Sequence, residues 1–167
     1  MIKRALLAGL MGLVVALPVA LVAPTAAEAR TGNVCTTFGK HWCIGTRVSG
    51  IVQPGTVAVN HTGPGRTLVF VAGPGGTDKI CLKAEPGLCL APISGQNRVI
   101  AFRLANVYGV LWSWVAARNT HYFVSHRYPG LRLSADNTRN DPLVMCPAGG
   151  CAGTTFTLQQ WTGPRRN

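Results

Sequence analysis

Apolar residues fall into two patterns along this chain. From Ala5 to Pro24 they run almost unbroken, ALLAGLMGLVVALPVALVAP, behind a short basic start at Lys3 and Arg4. Beyond residue 30 the runs are short and alternate with polar residues, as in GTVAVNH, RTLVFVA and RVIAFRL. A period of two with many β-branched residues predicts half-buried strands. Gly and Pro punctuate these runs in VQPG, TGPGR, AGPGG, AEPG and RYPG, which are turn signals. No stretch after residue 30 keeps a 3.6-residue period, so an all-β structure with almost no helix is expected there.

The leading apolar run ends in the small-residue stretch Ala27-Glu28-Ala29. That is the pattern of a secretory signal peptide cut after Ala29. A retained anchor is the rival, because the run is nearly long enough to span a bilayer. Pro18 and the Ala-x-Ala ending favour removal. Residues 1–29 are therefore expected to be a removed signal peptide and 30–167 a single domain, secreted and extracellular, with no membrane span after cleavage. The 138 residues of that domain can bury roughly two-thirds of their unfolded surface.

The domain repeats itself. EPGLCLAP from Glu85 and YPGLRLSA from Tyr128 share Pro-Gly-Leu-x-Leu at a distance of 43 residues. Widened, the match runs from KICLKAEPGLCLA to YFVSHRYPGLRLS, with an earlier copy in NVCTTFGKHWCIG. Each copy leads to an apolar strand: TLVFV, VLWSW and TLQQW, separated by 43 and 47 residues. This alignment makes Val71, Trp114 and Trp161 mates and puts Trp161 beneath a shared core. Three strand-rich units of this size cannot each cover an apolar face alone, so they must close on a common core with pseudo-threefold symmetry. A propeller needs at least four blades.

Here the residues resemble a known family. Gln159-Gln160-Trp161 resembles the Gln-x-Trp signature of ricin-type β-trefoils, and Cys89-Leu90 resembles that family's Cys-Leu pair. The stretch from Gly130-Leu131-Arg132-Leu133 to Asp141-Pro142-Leu143-Val144 resembles the rest of its repeat. The fold this implies is a six-stranded barrel capped by three hairpins.

Six cysteines in an exported chain predict three disulfides. The Cys-x7-Cys spacing occurs at Cys35/Cys43 and at Cys81/Cys89, both times at the same place in the repeat. A hairpin turn centred on Gly39 or Glu85 brings each pair face to face, within bridging range. Cys35–Cys43, Cys81–Cys89 and, around PAGG, Cys146–Cys151 are the expected pairs. A metal on Cys35, His41 and Cys43 lacks the usual zinc spacing, so neither a metal nor a cofactor is expected.

Charge narrows the partners. Without the leader, 14 basic residues face four acidic ones, a net charge of +10. This favours wall polymers, lipid headgroups or acidic proteins, or serves solubility alone. Nucleic acid is not expected, because the basic residues are scattered and Phe70, Phe102, Trp112, Trp114, Phe123, Phe156 and Trp161 occupy strand positions suited to a core. No paired carboxylates or nucleophile–base constellation is visible, so no enzyme is expected. Asn60-His61-Thr62 fits a glycosylation sequon.

The resemblance implies sugar binding, with an Asp directly after the Cys-Leu pair. Gly45, Ala91 and Ser134 stand at those places. Phe102 in the second repeat and Asp136 in the third are the candidate replacements for the missing aromatic platform and acid. Three readings follow. The first is a non-catalytic adaptor docking an extracellular protein through its loops, as within a toxin-like assembly. The second is a divergent lectin for a cell-surface glycan. The third is a protease inhibitor presenting Arg47, Arg66 or Arg127. The favoured surface is the third-repeat loop, with Arg132, Asp136, Asn137, Arg139, Asn140 and Asp141.

Overall fold

The computed structural model describes residues 30–37, 42–61, 65–93, 99–107, 109–135, 140–151 and 153–162. The expected signal peptide lies outside them. The described residues form twelve strands and one 3-10 turn at Pro74–Gly76. Four strands fall in each repeat: β1 (Arg30–Thr36), β2 (Cys43–Thr46), β3 (Ala58–His61) and β4 (Leu68–Ala72); then β5 (Asp78–Leu82), β6 (Leu88–Pro92), β7 (Ile100–Leu104) and β8 (Leu111–Ala117); then β9 (Thr120–Ser125), β10 (Leu131–Ser134), β11 (Val144–Pro147) and β12 (Phe156–Thr162).

The first and last strands of the repeats close a ring. β1 pairs with β4, β4 with β5, β5 with β8, β8 with β9, β9 with β12, and β12 with β1. The middle strands form hairpins β2–β3, β6–β7 and β10–β11. Three isolated bridges tie the hairpins cyclically, Val57 to Ala101, Val99 to Val144 and Val59 to Pro142. A closed six-stranded barrel capped by a hairpin triplet is a β-trefoil. Closure leaves the barrel strands no free edge.

Alternation along the last strands fills the core. Leu68 and Phe70, Trp112 and Trp114, and Phe156 and Leu158 point inward and are buried. These pairs recur every 44 residues. The core register therefore differs from the one read from the strand endings. Phe70, not Val71, is the mate of Trp114, and its ring meets Trp114 edge-on at 5.2 Å; Val71 is 41% exposed. Leu158 takes the place assigned to Trp161, whose side chain lies outside the described residues. Beyond Leu158, β12 carries a β-bulge: Asn33 opposes Gln159 but Thr31 opposes Thr162, so one extra residue enters the strand, where Gln160 has φ +49°.

All three disulfides form as the repeat predicts. Cys35 faces Cys43, and Cys81 faces Cys89, in directly opposed positions of adjacent strands. The third bridge closes the turn in which the Gly150 amide donates to the Pro147 carbonyl at 3.0 Å. A buried ion pair, Arg30 with Asp78, joins the starts of the first and second repeats, and the Arg30 guanidinium lies 5.4 Å from the Trp114 ring centroid. No described helix is long and apolar enough to cross a membrane.

Candidate functional site

The hairpin loops differ in length. Eleven residues join β2 to β3, against seven between β6 and β7 and nine between β10 and β11. The long loop has no regular structure, yet it is held at nearly every step. Arg66, just before β4, reaches under it. Its Nε donates to Thr46 Oγ1 at 3.2 Å, and its Nη2 donates to the carbonyls of Val48 at 2.8 Å and Gly50 at 2.9 Å. Thr46 Oγ1 also donates to the Val48 carbonyl at 2.8 Å. Further on, the Gly55 amide donates to Phe102 O at 2.7 Å. At the crest, Ile51 is 76% exposed and Val48 45% exposed. Gly65 precedes the clip with φ +66°, and a Cβ there would fall 2.5 Å from Ile44 O, so only glycine lets the chain approach so closely.

The third-repeat loop meets this crest. Arg47 donates from Nε and Nη2 to the carbonyl of Asn140, at 3.0 and 2.8 Å. The Asn140 amide donates to Asn60 O at 2.8 Å, and the Asn60 amide to Asp141 O at 3.0 Å. Asn140 and Asp141 are thereby fastened to the first repeat. Arg132 lies elsewhere on β10, its guanidinium 3.9 Å from the centroid of the Tyr122 ring. Asp136, Asn137 and Arg139 lie outside the described residues.

Other expected positions fall differently. Phe102 is fully buried within the core cluster, so it offers no ring face to a ligand. Its inward place follows from the alternation of β7, where it opposes Leu90. Ala91 and Ser134 are also buried. At Gly45 an added Cβ would lie 2.6 Å from the Cβ of His61, so an Asp there requires β2 and β3 to shift. A cleft of about 250 Å³ remains beside it, lined by Gly45, Thr46, His61 and Arg66. The Nδ1 of His61 is buried without a hydrogen-bond partner. Asn60, the sequon residue, is buried, which shields it from a glycan in the folded chain. Arg47 and Arg66 hold backbone carbonyls, and Arg127 packs its guanidinium 5.2 Å from the Tyr128 ring centroid. None of the three stands at the crest of a loop as an inhibitor requires. Among the described residues no His, Cys, Asp and Glu group could hold a metal.

Sequence reading missed Val48 and Ile51, and named Arg66 only as a residue an inhibitor would present, not as the clip beneath this loop. The length of the stretch between IG at Ile44 and the next strand was the available signal; the Arg66 clip has none, because it acts across the hairpin.

Comparison with known proteins agrees with the barrel. No family model and no curated protein matches the sequence. Solved structures do. The chain is similar to part of a mosquitocidal holotoxin, at TM-score 0.67 and 12% identity, over 78% of this chain and 17% of that one. It is similar to the designed threefold-symmetric protein ThreeFoil, at TM-score 0.66 and 11% identity, over 78% and 98%. It is similar to a ricin B-like lectin of Macrolepiota procera, solved with lactose, at TM-score 0.58 and 12% identity, over 77% and 94%. The shared property is the fold. This chain spans about a sixth of the holotoxin chain.

Proposed function

We propose that this protein is an exported, non-catalytic module that docks another protein through the crest of its first hairpin loop. The observation that carries this reading is Ile51, 76% exposed on a loop whose neighbouring carbonyls at Val48 and Gly50 are held by Arg66. An irregular loop normally loses conformational freedom when it binds. Here the three Arg66 hydrogen bonds and the Arg47 bonds to Asn140 have already removed much of it. An apolar contact at Ile51 and Val48, with Arg47 next to Val48 in the chain, suits a partner with an apolar pocket and an acidic rim. The net charge speeds that encounter and makes it weaken with salt. Of the third-repeat loop, Asn140 and Asp141 belong to the proposed contact through the tether at Asn140. A photo-crosslinker placed at position 51, with position 71 as control, tests this in the producer's medium. A protein adduct at 51 and not at 71 is expected; equal adducts at both refute the crest as the contact.

A second reading rests on the cleft beside His61. His61, Ser49 and Arg66 line this cleft and supply polar groups for a sugar's hydroxyls, and the likeness in fold to a lectin favours the test. A glycan array with wild type and His61→Ala tests it; retention of one sugar class, lost in the variant, is the result that supports it.

A further inference from the structure

Two repeats staple their first pair of strands with a disulfide, and the third does not. Cys35 faces Cys43 and Cys81 faces Cys89 across adjacent strands. At 43 residues beyond the second pair stand Val124 and Arg132, which face each other across β9 and β10 in the same way. Here the guanidinium of Arg132 lies over the Tyr122 ring, 3.9 Å from its centroid. So close an approach lays the planar group flat on the ring, because an edge-on guanidinium holds its carbon further off. Stacking uses the face of the guanidinium. It leaves the N–H groups along the rim to pair with an oxyanion.

The wall around this pair is shallow and carries no negative charge. Along β8 and β9 side chains alternate between the core and the outside. Val115 stands opposite Tyr122 on the outer face, with Ser113 opposite Val124 and Ala117 opposite Thr120. Tyr122, covered by Arg132, is therefore the bulkiest group among small neighbours. Arg118 is exposed in the two-residue turn between Ala117 and Thr120, and adds a cation at the end of the same strands. From residue 86 to residue 135 the chain holds five arginines and no lysine, aspartate or glutamate. No carboxylate of β8, β9 or β10 competes for these guanidinium groups.

We infer that the outer wall formed by β8, β9 and β10 binds an acidic polysaccharide. One oxyanion pairs with the rim of Arg132 and another along the polymer pairs with Arg118. The sugar between them lies over Val115 and Thr120. Other polyanions fit this wall less well. A single-stranded nucleic acid needs aromatic faces on which its bases stack, and the Tyr122 ring already carries Arg132. An acidic peptide gains most by adding to a strand edge, and β8, β9 and β10 are each paired on both sides. This site uses none of the crest residues and does not depend on the docking proposed there.

The test is calorimetric titration of the folded protein with heparin, polygalacturonate, dextran, polyglutamate and oligothymidylate at equal ionic strength. Heparin offers sulfates and polygalacturonate carboxylates, so the two arms tell which oxyanion the guanidinium takes. At least one of them is expected to saturate, and neutral dextran is not expected to bind. Polyglutamate and oligothymidylate are expected to bind at least about tenfold more weakly than that glycan, the scale of one lost hydrogen bond to a charged group. Arg132→Gln should weaken glycan binding by about tenfold or more. Arg132→Lys keeps the charge but not the flat rim, and should also weaken it. Lys83→Gln makes the same change of charge elsewhere and should bind like wild type. Melting curves check that each variant folds, and Arg118→Gln replaces Arg132→Gln if that one does not. No saturable binding of either acidic glycan, equal losses in Lys83→Gln and Arg132→Gln, or polyglutamate or oligothymidylate bound as tightly as the glycan each overturn the proposal.

Discussion

The guanidinium of Arg47 holds the backbone carbonyl of Asn140 with two hydrogen bonds, at 3.0 and 2.8 Å, across 93 residues of chain. It couples the first hairpin loop to the third and makes one surface from two repeats. Arg47→Ala removes both bonds from a solvent-exposed place, so the loss of stability should be small, about 0.5–1.5 kcal/mol. Local protection should fall more. Amide exchange at Asn140 and Asn60 is expected to quicken, while that of Phe102, buried in the cap, stays unchanged. Equal exchange at Asn140 in both proteins would mean that the tether does not hold the loop.

The core register separates two adjacent valine and phenylalanine positions. Phe70→Ala removes a buried ring in contact with Trp114 and should cost about 3–5 kcal/mol. Val71→Ala, at an exposed site, should change stability by less than about 0.5 kcal/mol. Chemical denaturation of the two variants checks this; a larger loss at Val71 would restore the register read from the strand endings.

Much of the fold was legible because repetition is visible without side-chain geometry. Cys35/Cys43 and Cys81/Cys89 shared a spacing and a place in the repeat, and both pair as that implied. The register of the last strands was not legible. Matching Trp161 to Trp114 by residue type overrides the 44-residue spacing at which the buried pairs Leu68/Phe70, Trp112/Trp114 and Phe156/Leu158 recur, and which residues of a strand face the core is set by pairing across the barrel. Phe102 looked available because its alternation was read without knowing which face of β7 meets the core. The crest escaped notice because Arg66 acts on Val48 and Gly50 through space.

Glycine at 153 offers a steric test of the third repeat. A Cβ there would lie 1.9 Å from Ala135 O, and φ is +75°. At Gly149, φ is +78° but nothing lies within 4 Å. Gly149→Ala should cost about 1–2 kcal/mol from backbone conformation alone. Gly153→Ala must also displace the chain at Ala135 and is expected to melt well below it. Matching melting temperatures would show that this turn relaxes freely.

The short disulfides stiffen individual hairpins. Replacing Cys81 and Cys89 together by Ser should cost about 2–3 kcal/mol on the chain-entropy estimate. Urea denaturation measures it, and peptide mapping without reductant checks that the other two bridges persist.

Preorganisation of the crest is the central claim, and paired capture from the producer's medium tests it most directly. Equal amounts of wild type, Ile51→Asp, Arg66→Ala and Val71→Asp are immobilised, and recovered protein is quantified against bait. The account predicts one protein in near-stoichiometric amount on wild type and Val71→Asp, strongly reduced on Ile51→Asp and on Arg66→Ala. Recovery of the same protein in equal amount on Ile51→Asp, or recovery of none on wild type, would contradict it.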